Sequence, residues 1–322
     1  MRAGYVLTPD PGRPLDALVV GDRPDPEPPP GWSVVTVAAA SLNHHDVFSL
    51  SGVGLRADRC PMILGTDAAG YDAAGNPVVV YGVITDPAWR GDETLDPSRT
   101  LLSELHQGTF AESVIVPDRN VIRLPAGIDL HDAACLGTAW LTAYRMLFVK
   151  SRLRAGDRVL IQGASGGVSS AAIALARVGG YGVFVTGRSE AKRRLALDLG
   201  AHEVFESGAR LPVKVDAVLE TVGAATWEHS LRSLRPGGTI VVSGSTTGPN
   251  PGAGLNRIFF QQMSVVGSTM GTRDELQALL RLLRTSGIRP RIAQVLPLDR
   301  AREGLAAMIG GDTAGKIVVD LS

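Results

Sequence analysis

Two groups of residues in this chain have types and spacing suited to chemistry: the bend Gly163-Ala164-Ser165-Gly166-Gly167-Val168 and the cations Arg188, Lys192, Arg193 and Arg194. Glycines let a backbone come close to a pyrophosphate. A helix opening just after them would turn free N–H groups and a partial positive charge toward that anion. Such a turn belongs to a dinucleotide site only if a strand precedes it and a helix follows. Ser169 stands where the G-x-G-x-x-G pattern has its last small residue, and serine still allows close helix packing. A carboxylate after the second strand would hold a ribose 2′-hydroxyl and repel a 2′-phosphate. Here that place carries Arg188, with Ser189 able to donate a hydrogen bond and Lys192 nearby, while Glu190 is one step into the helix. Guanidinium and ammonium groups attract a 2′-phosphate, so the expected cofactor is NADP. Arg193 or Arg194 reads as part of a solvated helix face.

The elements needed around these groups are readable. Arg158–Gln162 is a short apolar run, as expected of a buried parallel strand, and Val168, Ala172, Leu175 and Val178 repeat at the spacing of one helix face. Gly182–Thr186 predicts the next strand, followed by a helix with Ser189 as N-cap and Gly200 as its stop. Val204–Phe205, Val215–Leu219, Thr239–Ser243 and Ser264–Val266 predict further strands. A helix is expected from Ala225 to Leu234, closed by Pro236-Gly237-Gly238. Thr272-Arg273-Asp274-Glu275 is a capping box opening a helix with Leu276, Leu279, Leu280 and Leu283 on one face. Strand and helix alternate, which predicts a doubly wound parallel sheet.

Upstream the rhythm differs. Ala17–Val20, Ser33–Ala39, Val78–Tyr81 and Ser113–Val116 are short apolar stretches between turn-formers, including the proline-rich run from Pro24 to Gly31, expected as a surface loop. Thr85 to Gln107 reads as a long loop or irregular lid. After Arg289 come a strand, a helix from about Asp299 to Ile309, and a strand Lys316–Leu321 expected to return to the first domain. The 322 residues exceed one typical core, so the α/β chain is divided into a β-rich domain over 1–125, completed by 288–322, and a nucleotide-binding domain over 126–287. Net charge is zero, which argues against nucleic acid or a membrane surface as partner. Two cysteines, Cys60 and Cys135, are too few for a disulfide framework; with no signal pattern at the N-terminus, the expected location is cytoplasmic.

At this point the chain resembles the medium-chain dehydrogenase/reductase superfamily, near its quinone oxidoreductase and zinc-binding dehydrogenase branch. The likeness spans essentially the whole length. It rests on Ser41-Leu42-Asn43-His44-His45-Asp46, Gly65-Thr66-Asp67-Ala68-Ala69-Gly70, Gly108-Thr109-Phe110-Ala111-Glu112, Leu141-Thr142-Ala143-Tyr144 and the glycine turn. Arg235-Pro236-Gly237-Gly238, Val242-Ser243-Gly244 and Gly315-Lys316-Ile317-Val318 add to it. The resemblance implies a GroES-like catalytic domain built from both chain ends, a central Rossmann domain, an active site in the cleft, and a homodimer.

Alcohol-oxidising members hold zinc with cysteine, histidine and cysteine. By resemblance those positions are Asn43, Thr66 and Thr138, none of them a good zinc ligand. His44 and His45, placed on a strand, would point to opposite faces, so the expectation is no metal. Without a Lewis acid, the expected chemistry is hydride delivery from NADPH to a quinone or an α,β-unsaturated carbonyl, acceptors that need mainly positioning and hydrogen-bond donors. Asn43, Thr66 and Thr138 are the catalytic candidates, with Tyr81, His45 and Asp46 weighed as proton carriers. By resemblance, Gly163, Ala164, Ser165, Gly166, Gly167 and Val168 meet the pyrophosphate; Glu220 to Gly223, including Thr221 and Val222, and Ser243-Gly244-Ser245 line the cofactor. Phe259 or Phe260 would flank the nicotinamide, although both also read as core aromatics, and Lys316 would approach its ribose or phosphate. Two other readings stay open: a small-alcohol dehydrogenase, and a non-catalytic NADPH-binding or redox-sensing protein.

Overall fold

The structure, a computed structural model, describes residues 1–311 and 313–322. The chain divides into two compact units, Met1–Ala139 with Gly271–Ser322, and Trp140–Met270.

The first unit is built on the strand Trp32–Ser41. Ala38, Ala39 and Ala40 are all buried, so small side chains are required on both faces of its second half. Ala68–Tyr71 pairs with it antiparallel, with a bulge between Val37 and Ala39, and Lys316–Asp320 pairs along its other side, Val318 opposite Ser41. Gly70 has to be glycine there, since a Cβ would stand 1.9 Å from the Thr36 carbonyl oxygen. Pro77–Val80, Val121–Arg123, Ser113–Pro117 and Ile292–Pro297 complete this sheet, while Leu18–Asp22, Arg2–Val6 and Met62–Ile63 form a second. Between them packs a core that includes Val35, Val37, Leu64, Phe110, Leu298, Leu305 and Ile317. The last strand therefore does close the first domain, and this GroES-like arrangement joins residues from both chain ends.

The second unit is a parallel sheet in the order Glu203–Glu206, Gly182–Gly187, Arg158–Ile161, Val215–Glu220, Leu234–Val242, Ser264–Gly267. The winding reverses between Arg158–Ile161 and Val215–Glu220, and the carboxyl ends of strands at such a reversal open the crevice where α/β sheets bind ligands. Leu160, Phe184, Val218, Leu231, Leu234 and Ile240 share its core.

Several expectations need correction. Residues 126–139 and 271–287 pack with the first unit, not the nucleotide-binding one. The helix Arg273–Ser286 buries Leu276, Leu279, Leu280 and Leu283 as its capping box predicted, but Arg273 Nε donates to the Arg119 carbonyl and Arg289 to Asp132, which ties this segment to the first unit. The helix expected over 225–234 is Trp227–Ser233, and the strand Leu234–Val242 runs through Pro236-Gly237-Gly238, absorbing them in a register shift. On the helix Gly167–Val178, residues Ser169 to Ala176 are buried around the whole circumference while Val178 is exposed, so burial does not follow a single stripe. His44 and His45 open a helix, His44–Leu50, where the strand argument about opposite faces does not apply. Thr85–Gln107 is more ordered than a loop: Thr100–Leu101 pairs with Val83–Ile84, and buried Asp96 accepts the N–H groups of Asp86 and Ser98. Phe259 and Phe260 are not core residues; they are 58% and 73% exposed and stack on each other at 4.4 Å.

Candidate active site

In the second unit, the bend leaves Arg158–Ile161 with Gly163 at φ +86°, a left-handed conformation that favours glycine. Gly163 N–H donates to Thr186 Oγ1 at 3.3 Å, so this amide is anchored to the neighbouring strand. Ser169 stays within the tight space predicted for a small residue, with Oγ 3.5 Å from the place a Gly163 Cβ would occupy. Ala164 is buried against Gly187. Gly166, Gly167 and Val168 open a twelve-residue helix whose first N–H groups have no partner within the helix, the arrangement that binds a diphosphate. Ser165 to Val168 are wholly or partly accessible.

Arg188 follows the strand Gly182–Gly187 and is exposed. Ser189 caps the next helix, its oxygen accepting the Lys192 N–H at 3.4 Å, and its hydroxyl proton remains available. Arg193 is not simply solvated: Nη1 donates to the Gly187 carbonyl at 3.0 Å and Nη2 lies 3.5 Å from Glu206. Arg194 pairs with Asp198 on the exposed face. Glu220-Thr221-Val222-Gly223 and Ser243-Gly244-Ser245 are brought together. Ser243 N–H donates to the Glu220 carbonyl, the Thr247 hydroxyl donates to the Val222 carbonyl, and a Cβ on Gly244 would fall 2.9 Å from the Thr221 carbonyl oxygen.

In the first unit, Asn43, Thr66 and Thr138 meet. Asn43 follows Trp32–Ser41, Thr66 precedes Ala68–Tyr71, and Thr138 lies in the π-helical turn Leu136–Trp140. Thr138 donates to Asp67 Oδ1 at 2.6 Å, and Thr66 lies 2.9 Å from the Thr138 oxygen. Because the Thr138 proton is committed to the carboxylate, Thr66 is the donor in that second bond. Asn43 Nδ2 shares its protons among Asp67 Oδ2 at 2.9 Å, the Ser41 carbonyl at 3.2 Å and Thr66 Oγ1 at 3.3 Å. Ser41 adds a hydrogen bond to Asp67 Oδ2. Every donor of the three candidates is thus engaged within the cluster.

Lys316 completes it. Its ammonium donates to Asn43 Oδ1 at 2.6 Å and the Leu42 carbonyl at 2.7 Å, and lies 3.8 Å from Asp67 Oδ2. Both charged side chains are essentially buried. The position expected to face a cofactor holds an ammonium whose contacts are with Asn43, Leu42 and Asp67. Asp46 accepts the Asn43 N–H at 2.7 Å, and burial pushes its carboxyl up to about 7. The Cys135 thiol is pushed by burial to about 12, which keeps it protonated and unreactive. Burial lowers the His45 pKa against the opposing pull of Glu104, whose Oε1 is 3.9 Å from His45 Nε2. Tyr81, weighed as a proton donor, gives its hydroxyl to the Gly271 carbonyl at 2.7 Å and is buried.

The cluster does not fit zinc. Zinc takes thiolate, imidazole or carboxylate; here an amide and two hydroxyls occupy the relevant positions, and an ammonium already lies against the amide oxygen. Among the described residues, no three His, Cys, Asp or Glu side chains converge to hold a metal ion. No helix among them is long and apolar enough to cross a membrane.

Comparison with known proteins identifies the family. Residues 29–126 match the alcohol dehydrogenase GroES-like domain and residues 167–285 the zinc-binding dehydrogenase family. The quinone oxidoreductase of Lama guanicoe is 30% identical over 309 residues, covering 89% of this chain and 88% of that protein. The acryloyl-coenzyme A reductase of Sulfurisphaera tokodaii is 27% identical, covering 99% of each. Among solved structures, an NAD-dependent alcohol dehydrogenase superposes with TM-score 0.93 at 31% identity over 100% of both chains. A cobalt- and zinc-bound alcohol dehydrogenase from Pyrobaculum aerophilum gives 0.90 at 28% identity over 99% of each. With its GroES-like unit, its parallel nucleotide-binding sheet and these relatives, the chain belongs to the zinc-binding dehydrogenase family of the medium-chain dehydrogenase/reductase superfamily.

Proposed function

We propose that this protein is an NADPH-dependent reductase that transfers a hydride, without zinc, to a quinone or an α,β-unsaturated carbonyl. One observation carries the reading: the three positions where alcohol-oxidising relatives hold zinc are closed on one another and on the Lys316–Asp67 pair. An alcohol needs its proton removed before it gives up hydride, and these residues offer no means of lowering its pKa. Quinones and enones arrive already electron-poor. Names such as quinone oxidoreductase and acryloyl-coenzyme A reductase among the relatives support that class of acceptor. The alcohol dehydrogenase reading draws on the structural neighbours instead and is the weaker one on donor chemistry.

In this proposal the bound nicotinamide supplies the hydride. The chain's own residues do the rest. Gly166, Gly167 and Val168 present N–H groups to the diphosphate, Arg188 and the Ser189 hydroxyl meet the 2′-phosphate, and Thr221, Val222, Ser243 and Gly244 shape the loops beside the bend. Phe259, being exposed, is available to a nicotinamide ring or to a second copy of the chain in a homodimer. Asn43, Thr66 and Thr138 hold a fixed polar surface, with Thr138 its least buried member. A cytoplasmic location fits the cysteine content.

The deciding experiment follows NADPH oxidation against quinones, enones and enoyl thioesters, with metal analysis of the same preparation. Turnover of one acceptor class with no bound zinc is expected. Stoichiometric zinc with alcohol-dependent NADP reduction would overturn the proposal, as would tight NADPH binding with no turnover of any acceptor.

A further inference from the structure

A buried hydrogen-bond chain runs behind the nucleotide-binding bend, and its direction is fixed at every step. Glu220 has no exposed surface and only accepts: Oε1 takes the N–H groups of Val222 at 2.8 Å and Gly223 at 3.0 Å, Thr226 lies 2.9 Å from both oxygens, and Ser230 donates to Oε2 at 2.6 Å. With its proton given to Glu220, the Ser230 oxygen must accept, and it does so from Gln162 Nε2 at 3.0 Å. That sets the Gln162 amide. Its other N–H reaches His229 Nδ1 at 2.9 Å, and its Oε1 accepts from Thr186 at 2.7 Å. Thr186 Oγ1 in turn accepts the Gly163 N–H.

His229 Nδ1 is therefore an acceptor, while Nε2 carries the proton and donates to the Ala209 carbonyl at 2.7 Å. Only the neutral imidazole fits. A proton on Nδ1 would set N–H against N–H, and rotating the Gln162 amide to relieve this would set its oxygen against the Ser230 oxygen and reverse the Thr186 bond, so that Thr186 Oγ1 takes a second N–H beside that of Gly163. We propose that Gln162, Thr186 and His229 are positioning residues of the nucleotide site, a one-way chain that holds the Gly163 bend in its binding shape only while His229 is neutral. Burial is the main influence lowering the His229 pKa; the charged groups facing it are Glu220, which opposes that effect, and Arg232, which adds to it. The inference rests on the reading that a nucleotide lies on this bend.

The test is the NADP⁺ dissociation constant from about pH 8 to about pH 4.5, for wild type, His229→Asn, Thr186→Val and Thr186→Ser, with folding checked by circular dichroism at each pH. Asparagine puts an acceptor oxygen where Nδ1 lies and does not titrate. Wild-type affinity should fall by about fivefold more than that of His229→Asn across this range, the effect of one lost hydrogen bond. NAD⁺ should show the same difference, which removes the titration of the 2′-phosphate itself from the comparison. Thr186→Val should weaken binding by about fivefold throughout, and Thr186→Ser should restore it. Superimposable pH curves for wild type and His229→Asn would overturn the inference while leaving the cofactor assignment intact. Should Thr186→Val fail to fold, the His229→Asn comparison decides alone. Absence of any nucleotide binding by wild type would overturn both.

Discussion

Lys316 Nζ lies 2.6 Å from Asn43 Oδ1, joining residues 273 positions apart in the chain. The contact fixes which end of the Asn43 amide faces the ammonium and which faces Asp67, and so orders the whole cluster. Lys316 and Asp67 are 3% and 0% exposed at the side chain, so each depends on the other for charge compensation. Removing one partner of such a buried pair leaves an uncompensated charge; removing both is tolerated much better. Lys316→Met should lower unfolding free energy by about 3 kcal/mol or more, and Asp67→Asn by a similar amount. The double variant should be clearly more stable than the sum predicts, as measured by urea denaturation in a double-mutant cycle. Additive losses would mean that the pair is not coupled.

Asp46 should give the protein a pH-dependent weakness. Its folded pKa, raised to about 7 from an ordinary 3.8 mainly by burial, lies above the unfolded value. The folded state then holds a proton that the unfolded state has released, so stability is highest when both are protonated and declines as pH rises from about 4 to about 7. Above that the full cost of a buried charge remains. Asp46→Asn lacks this term. Between about pH 5.5 and about pH 8 the variant should gain about 2 kcal/mol relative to wild type. Urea unfolding of both proteins at the two pH values checks it, and a constant difference would refute the shift.

These two predictions depend on different kinds of information. The glycine bend, the Ser189 cap and the Thr272–Glu275 capping box were legible because each is a local signal, complete within a few residues. Asn43, Thr66 and Thr138 were found only through motif position, which gave their proximity but not their bonding. That Asp67 would take the Thr138 proton, or that Lys316 would turn to Asn43, follows from long-range pairing of the last strand with Trp32–Ser41, which no local pattern encodes. The helix His44–Leu50 did have a signal, Asn43 followed three residues later by Asp46, a capping box with aspartate in place of glutamate. Phe259 and Phe260 also read as core aromatics because aromatic pairs are so often buried, and their exposure removes that second reading.

Zinc gives a third test, from donor chemistry. The amide and hydroxyls at 43, 66 and 138 are neutral ligands, and the Lys316 ammonium beside them would repel a dication. Dialysis against a chelator should leave both the melting temperature and NADPH affinity unchanged, and added zinc should raise neither. A melting temperature that falls on chelation and recovers with zinc would show a metal site that this donor set does not account for.

Arg188 tests the cofactor assignment. It stands just past the strand Gly182–Gly187, exposed, where a carboxylate would select a free ribose hydroxyl. Its neighbours differ in availability: Arg193 is tied to Gly187 and Glu206, and Arg194 to Asp198. Arg188 is therefore freer than either of these to turn to a 2′-phosphate, with Ser189 adding a donor. Arg188→Ala should weaken NADPH binding by about tenfold, as expected for one charge-assisted contact, and leave NADH within about twofold. Because the attraction is electrostatic at an exposed site, the wild-type preference for NADPH should also shrink as salt rises, and the variant's should not. Fluorescence titration with both nucleotides at two ionic strengths measures all of this. Equal wild-type affinity for NADH and NADPH, or an NADPH affinity that Arg188→Ala leaves untouched, would remove Arg188 from the site and NADP from the proposal.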